Sequence, residues 1–112
     1  MAQGFSKPNI PNILADVPSG KEFDFCTAEG VYTKVRAISL EDFAQKLDGV
    51  DAISLQFHYP RGDFQAWISD TIGDSELADR MCFIPRNIPD AILRQDLLKI
   101  VQRRINELKS SK

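Results

Sequence analysis

The chain carries one histidine, His58, one tryptophan, Trp67, and two cysteines, Cys26 and Cys82. Each scarcity removes a class of chemistry. With one imidazole, general acid–base work near neutral pH has a single candidate. No second Cys or His lies at metal-ligand spacing from either cysteine, so a structural zinc site is not expected. No apolar run approaches the roughly 20 residues that a membrane helix needs. Charge of one sign is also lacking: the formal net charge is -2, which gives no field to gather nucleic acid or anionic lipid. Met1–Ser6 has neither the basic start nor the apolar core of a signal peptide, so a cytoplasmic protein with reduced cysteines is expected. Both cysteines sit in apolar contexts, "FDFCT" and "RMCFI", which suggests small buried hydrophobes.

What is present suits one folded unit. A chain of 112 residues with 43% hydrophobic and 27% charged residues can bury a real core. Residues 1–20 hold Pro8, Pro11 and Pro18 and read as an N-terminal arm, with residues 21–112 as a single globular domain. Ile10, Ile13, Leu14 and Val17 would lay one short helical turn of the arm onto that domain. "PNIPNIL" at 8–14 and "RNIPDAIL" at 86–93 repeat a helix-start signal and nothing more.

The fold class expected is α+β: mainly helical, with a small β-hairpin near the N-terminus. Phe23, Phe25 and Thr27 alternate with Asp24 and Cys26, and "VYTKVRAIS" (31–39) is rich in β-branched and aromatic residues, so 21–27 and 31–39 pair across "AEG". Ser39 to Asp42 approximates a capping box before the stripe Leu40, Phe43, Ala44 and Leu47, and Gly49 would end that helix in a left-handed conformation. Residues 50–58 suit either state. Ile53, Leu55 and Phe57 alternate like a strand, while Val50, Ile53, Ser54, Phe57 and His58 make a helix face, the reading preferred here. Phe64, Trp67, Ile68, Thr71 and Ile72 line another helix that Gly73 closes, and Asp74-Ser75-Glu76 begins the next, with Leu77, Ala78 and Met81 inward. Residues 89–109 form the longest helix, with Leu93, Leu97, Ile100, Val101, Ile105 and Leu108 inward.

The stretch "HYPRGDFQAW", residues 58–67, concentrates the unusual residues and includes Arg61-Gly62-Asp63. An adhesion loop would need an exported protein and an exposed tip. A helix start explains the same tripeptide, with Gly62 turning the backbone and Asp63 as N-cap. A catalytic reading would make His58 the acid or base, with Cys26 as nucleophile or Asp63 and Asp70 as carboxylate partners. A metal held by His58, Asp63, Asp70 and Asp74 is weaker, because those aspartates have duties at helix ends and on helix surfaces. Trp67 on an inward stripe is a core residue first.

Three segments, "FDFCTAEG", "AISLEDFAQKL" and "FHYPRGDFQAWISDTIGDSELADRM", resemble a family of small archaeal and bacterial domains of unknown function. That family's pattern joins an aromatic-rich strand and a Ser-Leu-initiated helix to a His-x-x-Arg-x-Asp-Phe-x-x-Trp block and a Gly-Asp-x-x-Leu-Ala segment. Here the block is His58, Arg61, Asp63, Phe64 and Trp67, and the last segment is Gly73, Asp74, Leu77 and Ala78. The resemblance spans residues 22–108 and implies a family without implying an activity.

The function expected is a non-catalytic binding or regulatory module, with a surface formed by His58, Tyr59, Arg61, Asp63 and Trp67. His58, Tyr59 and Arg61 would be exposed, with Phe64 and Trp67 beneath, and Arg61 would offer its planar fork to a carboxylate or phosphate. The partner is an unidentified protein or a small anionic ligand, and no cofactor, metal or membrane is implied. Monomer and homodimer are both compatible with the sequence. The alternative is a small enzyme with His58 as acid or base and Arg61 holding an anionic substrate. Third comes nucleic-acid contact by the last helix, through Arg94, Lys99, Arg103, Arg104, Lys109 and Lys112. No aromatic residue interleaves those charges for base stacking.

Overall fold

The computed structural model describes residues 13–110. Two antiparallel strands, β1 (Phe23–Ala28) and β2 (Val31–Ala37), are followed by five helices: α1 (Leu40–Gly49), α2 (Ala52–Arg61), α3 (Asp63–Trp67), α4 (Ser75–Met81) and α5 (Asp90–Ser110). Between α3 and α4 the chain continues through a π-helical turn at Ile68–Ile72. The α+β class and the N-terminal hairpin match the sequence reading. The start of the arm's expected helical turn lies outside the described residues; from Ile13 to Gly20 the chain makes turns and no helix. Ile13 is buried, Leu14 and Val17 pack against the core, and the Val17 N–H donates to the Ile38 carbonyl at 2.8 Å.

The hairpin is irregular in a way that shapes the site. Phe23, Asp24 and Phe25 pair with Ala37, Arg36 and Val35, but Cys26 pairs with Tyr32, so Thr33 and Lys34 bulge out of β2. Lys34 takes a φ of 72° to make the bulge. The Thr33 hydroxyl holds it by donating to the Phe25 carbonyl at 2.7 Å and accepting from the Val35 N–H at 3.1 Å. Phe23, Phe25 and Ala37 face inward onto Phe43, Phe64 and Trp67, and Phe25 stacks on Phe43 with centroids 5.7 Å apart. A two-stranded sheet is marginal alone, and this aromatic layer is what covers its face.

Caps fix most helix boundaries. The Ser39 hydroxyl accepts the Asp42 N–H at 3.1 Å as expected, but the Asp42 carboxylate reaches past Ser39 to the Ile38 N–H. Gly49 does not end α1 in a left-handed conformation: the cap is Val50 in extended backbone, its N–H on the Lys46 carbonyl. A tertiary contact replaces the glycine cap, because Arg94 of α5 donates to the Leu47 carbonyl at 2.7 Å. Asp74 caps α4 by accepting the Leu77 N–H, and its buried carboxylate also takes two bonds from Arg104, at 2.8 and 3.2 Å. Along α5, Leu93, Leu97, Val101 and Ile105 are buried, while Ile100 and Leu108 pack only partly.

Residues 52–61 are helical, but the face is rotated from the one expected. Ser54, Leu55, His58 and Tyr59 point inward and Ile53 is 58% exposed. Both sets have helical spacing, and the choice falls on the one that buries Leu55 and Tyr59 in place of Ile53 and Phe57.

Candidate functional site

The decapeptide 58–67 straddles a corner between two helices. His58, Tyr59, Pro60 and Arg61 form the last turn of α2, and Gly62 ends it with φ 80° and ψ 13°, its N–H on the His58 and Tyr59 carbonyls. The same Gly62 is the N-cap of α3, its carbonyl accepting the Ala66 N–H at 3.0 Å. Asp63 is therefore the first helical residue and not the cap, and its side chain makes no capping bond. An α-carbon that must be left-handed favours glycine, which displaced aspartate by one position. Arg61-Gly62-Asp63 is an inter-helix pivot and not a loop tip.

Freed from capping, the Asp63 carboxylate organises its neighbours. One oxygen, Oδ2, lies 2.8 Å from His58 Nδ1 and 3.0 Å from Arg61 Nε. On the far side of the imidazole, Nε2 accepts the backbone N–H of Cys26 at 2.8 Å. A backbone amide can only donate, so Nε2 must be unprotonated, and the ring's proton is on Nδ1, facing the carboxylate. The bulge in β2 displaces Cys26 from the regular ladder, and its amide is used by the histidine. His58 sits among Phe23, Phe25, Phe57 and Phe64, with ring centroids at 4.8 to 6.3 Å. Burial holds its pKa below the ordinary 6.5; hydrogen bonding and charge from Asp63 act in the opposite direction, and Arg61 acts with the burial.

Of the five residues expected to form a surface, the structure joins His58, Arg61 and Asp63 in one hydrogen-bonded chain. Only Arg61 of the three presented as exposed is exposed, with His58 at 5% and Tyr59 at 1% accessibility. Tyr59 points away from the cluster, because the inward face of α2 carries it under the α4–α5 link. Its hydroxyl lies 2.8 Å from the Met81 carbonyl and 2.5 Å from that of Ile84, and burial pushes its phenol pKa up. Trp67 is buried as expected, its indole N–H donating to the Lys21 carbonyl at 2.8 Å. Cys26 is half-buried, and Cys82 is exposed beside Phe83, itself 88% exposed, so the apolar setting of "RMCFI" is not a buried one.

Two participants were missed by sequence reasoning. Phe57 lies under the Arg61 guanidinium, whose carbon is 4.6 Å from the ring centroid. The i,i+4 spacing of Phe57 and Arg61 on a helix carried that signal. The Cys26 amide could not have been found, since a backbone group released by a bulge leaves no mark on residue identity.

The metal set considered from sequence is dispersed, with Asp63 bound to His58 and Arg61, and Asp74 bound to Arg104. Among the described residues no group of three His, Cys, Asp or Glu side chains is arranged to hold a metal ion. No helix among them is long and apolar enough to cross a membrane. Two concavities among the described residues lie away from the cluster: about 450 Å³ between α1 and α5, lined by Gln45, Gln95 and Gln102, and about 250 Å³ beside Phe83 and Ile100. On α5, Arg94, Arg104 and Lys109 are engaged by the Leu47 carbonyl, by Asp74 with Glu107, and by Glu41, while Lys112 is outside the described residues. No family model, curated protein or solved structure matches this chain.

Proposed function

We propose that this domain is a non-catalytic binding module that recognises a carboxylate or phosphate group through Arg61. One observation carries the reading: the guanidinium is half-exposed yet fixed, with Nε on Asp63 and its plane over Phe57. Its two terminal nitrogens make no hydrogen bond among the described residues, so the fork faces outward already oriented. A preset guanidinium loses little side-chain entropy on binding, and two parallel N–H donors match a planar or tetrahedral oxyanion.

Acid–base catalysis at His58 is disfavoured by the same geometry. An imidazole acting as base needs a free lone pair near the reacting group, and this lone pair is occupied by the Cys26 amide inside a shell of phenyl rings. Nucleic-acid contact through α5 is disfavoured by the partners that Arg94, Arg104 and Lys109 already have, and by the lack of aromatic residues among its charges.

The test is an NMR titration with inorganic phosphate and with acetate, following the backbone amides of residues 57–63 in the wild type, Arg61→Lys and Arg61→Ala, and the Arg61 side-chain signals in the wild type. Saturable shifts at Arg61 Nε–H are expected in the wild type, with at least about a tenfold weakening in Arg61→Lys, which keeps charge but loses the fork. Both variants should fold, since an exposed ion pair contributes about 0–1 kcal/mol. Equal binding by wild type and Arg61→Ala would remove Arg61 from the proposal.

A further inference from the structure

We infer that His58 is a proton-operated latch between the hairpin and the helical layer, and that a second proton on the imidazole releases the β1 face from α2. Among the described residues, the Cys26 N–H to His58 Nε2 bond is the one hydrogen bond joining β1 to α2. The remaining contacts there are apolar, chiefly those of Phe23 and Phe25. Protonation puts a hydrogen on Nε2, where the facing group is a backbone donor 2.8 Å away that has no acceptor form. Two donors cannot share that line, so the ring and the strand must separate.

The charges around the ring do not rescue the closed state. From α3, Asp63 already accepts the Nδ1 proton when the ring is neutral, so protonation adds Coulomb attraction but no new hydrogen bond. From α2, Arg61 shares that carboxylate and repels an imidazolium. From β1, the Cys26 thiol contacts the Asp24 carbonyl, and the Asp24 carboxylate is paired with Arg36. From α5, Asp90 is bound by Gln56 on another stretch of α2.

The sign follows from linkage. A histidine whose folded pKa lies below 6.5 binds protons more readily when its surroundings open. The latch is closed above that pH, and its contribution is lost as pH falls from there through the folded value. Leu97 and Val101 are buried on α5, which packs chiefly against α1, α2 and α4. Acid should therefore open β1 before it unfolds the helices. The inference stands whether or not Arg61 binds an anion.

Amide hydrogen exchange on the labelled full-length chain tests this, with rates corrected for intrinsic pH dependence, between about pH 7.5 and about pH 5. Protection at Cys26 is expected to fall by up to about tenfold per pH unit as pH drops from 6.5 toward the folded value, while Leu97 and Val101 keep theirs. In His58→Gln, whose amide oxygen can accept the Cys26 N–H but cannot titrate, the Cys26 profile should be flat. Unchanged Cys26 protection in the wild type, a simultaneous loss at Leu97, or the same fall in His58→Gln would each overturn the inference. If His58→Gln does not fold, the wild type decides alone: the His58 ring and the Cys26 amide must titrate with one midpoint, and separate midpoints refute the latch.

Discussion

Replacing Tyr59 by phenylalanine removes a single oxygen from a residue that is 1% exposed, so the packing volume of the ring is untouched. That oxygen serves two carbonyls, but unequally. The Met81 carbonyl also accepts the Ile84 N–H at 3.1 Å and keeps that partner, whereas the Ile84 carbonyl depends on the phenol. One buried acceptor is therefore stranded, at a cost of about 1–3 kcal/mol. A domain of this size has a net stability of about 5–15 kcal/mol, so the change is readily measured. Melting should fall by roughly 4–12 °C, and the urea midpoint should drop at constant slope, because the unfolded surface is unchanged. Phosphate or acetate binding at Arg61 should be the same as in the wild type. Unaltered melting together with weakened anion binding would refute the reasoning, because the hydroxyl would then belong to a surface.

Four further outcomes are expected. Gly62→Ala should cost about 1–2 kcal/mol by urea unfolding, since φ is 80° and a Cβ meets nothing within 4 Å, leaving only the backbone term. Ser54→Ala should be neutral or stabilise by up to about 1 kcal/mol, because the Ser54 hydroxyl is buried with no hydrogen-bond partner among the described residues. Arg104→Ala should cost about 3–5 kcal/mol, because it leaves the buried Asp74 carboxylate without its cation, whereas Asp74→Ala should cost less, because Arg104 keeps Glu107, and the double variant should cost less than their sum. Glu107 has a pKa held below 4.5 by its hydrogen bond to Arg80, so its contribution to stability, present above that pH, should fade as acid titrates through the lower folded value and be absent in Glu107→Gln.

Much of the architecture was legible because period and punctuation agreed. β1 and α1 each carried one clear apolar set, and Ser39, Gly73 and Asp74 marked boundaries that the structure keeps. α2 was legible as a helix but not in its orientation: Ile53 and Phe57 offered one apolar stripe and Leu55 and Tyr59 another. A local pattern cannot decide between two stripes when tertiary contacts choose. That ambiguity put Tyr59 on the surface in the sequence reading. Within the site, the Arg61–Gly62–Asp63 pivot and the burial of Trp67 were legible from glycine's φ range and the inward spacing. What His58 does was not, because its decisive partner is a backbone amide 32 residues away, turned toward it by a bulge at Thr33 and Lys34. Cys82 shows the reverse error, where apolar neighbours in sequence proved to be exposed in space.

The polar groups at this corner serve the fold before anything else, and the protonation of one ring reports on that directly. Nitrogen NMR of the His58 imidazole at about pH 7.5 should find the proton on Nδ1, Nε2 bare, and a scalar coupling from the Cys26 amide to Nε2 across the hydrogen bond. A proton on Nε2, with no coupling to Cys26, would leave the histidine free for chemistry and contradict the structural role assigned to it.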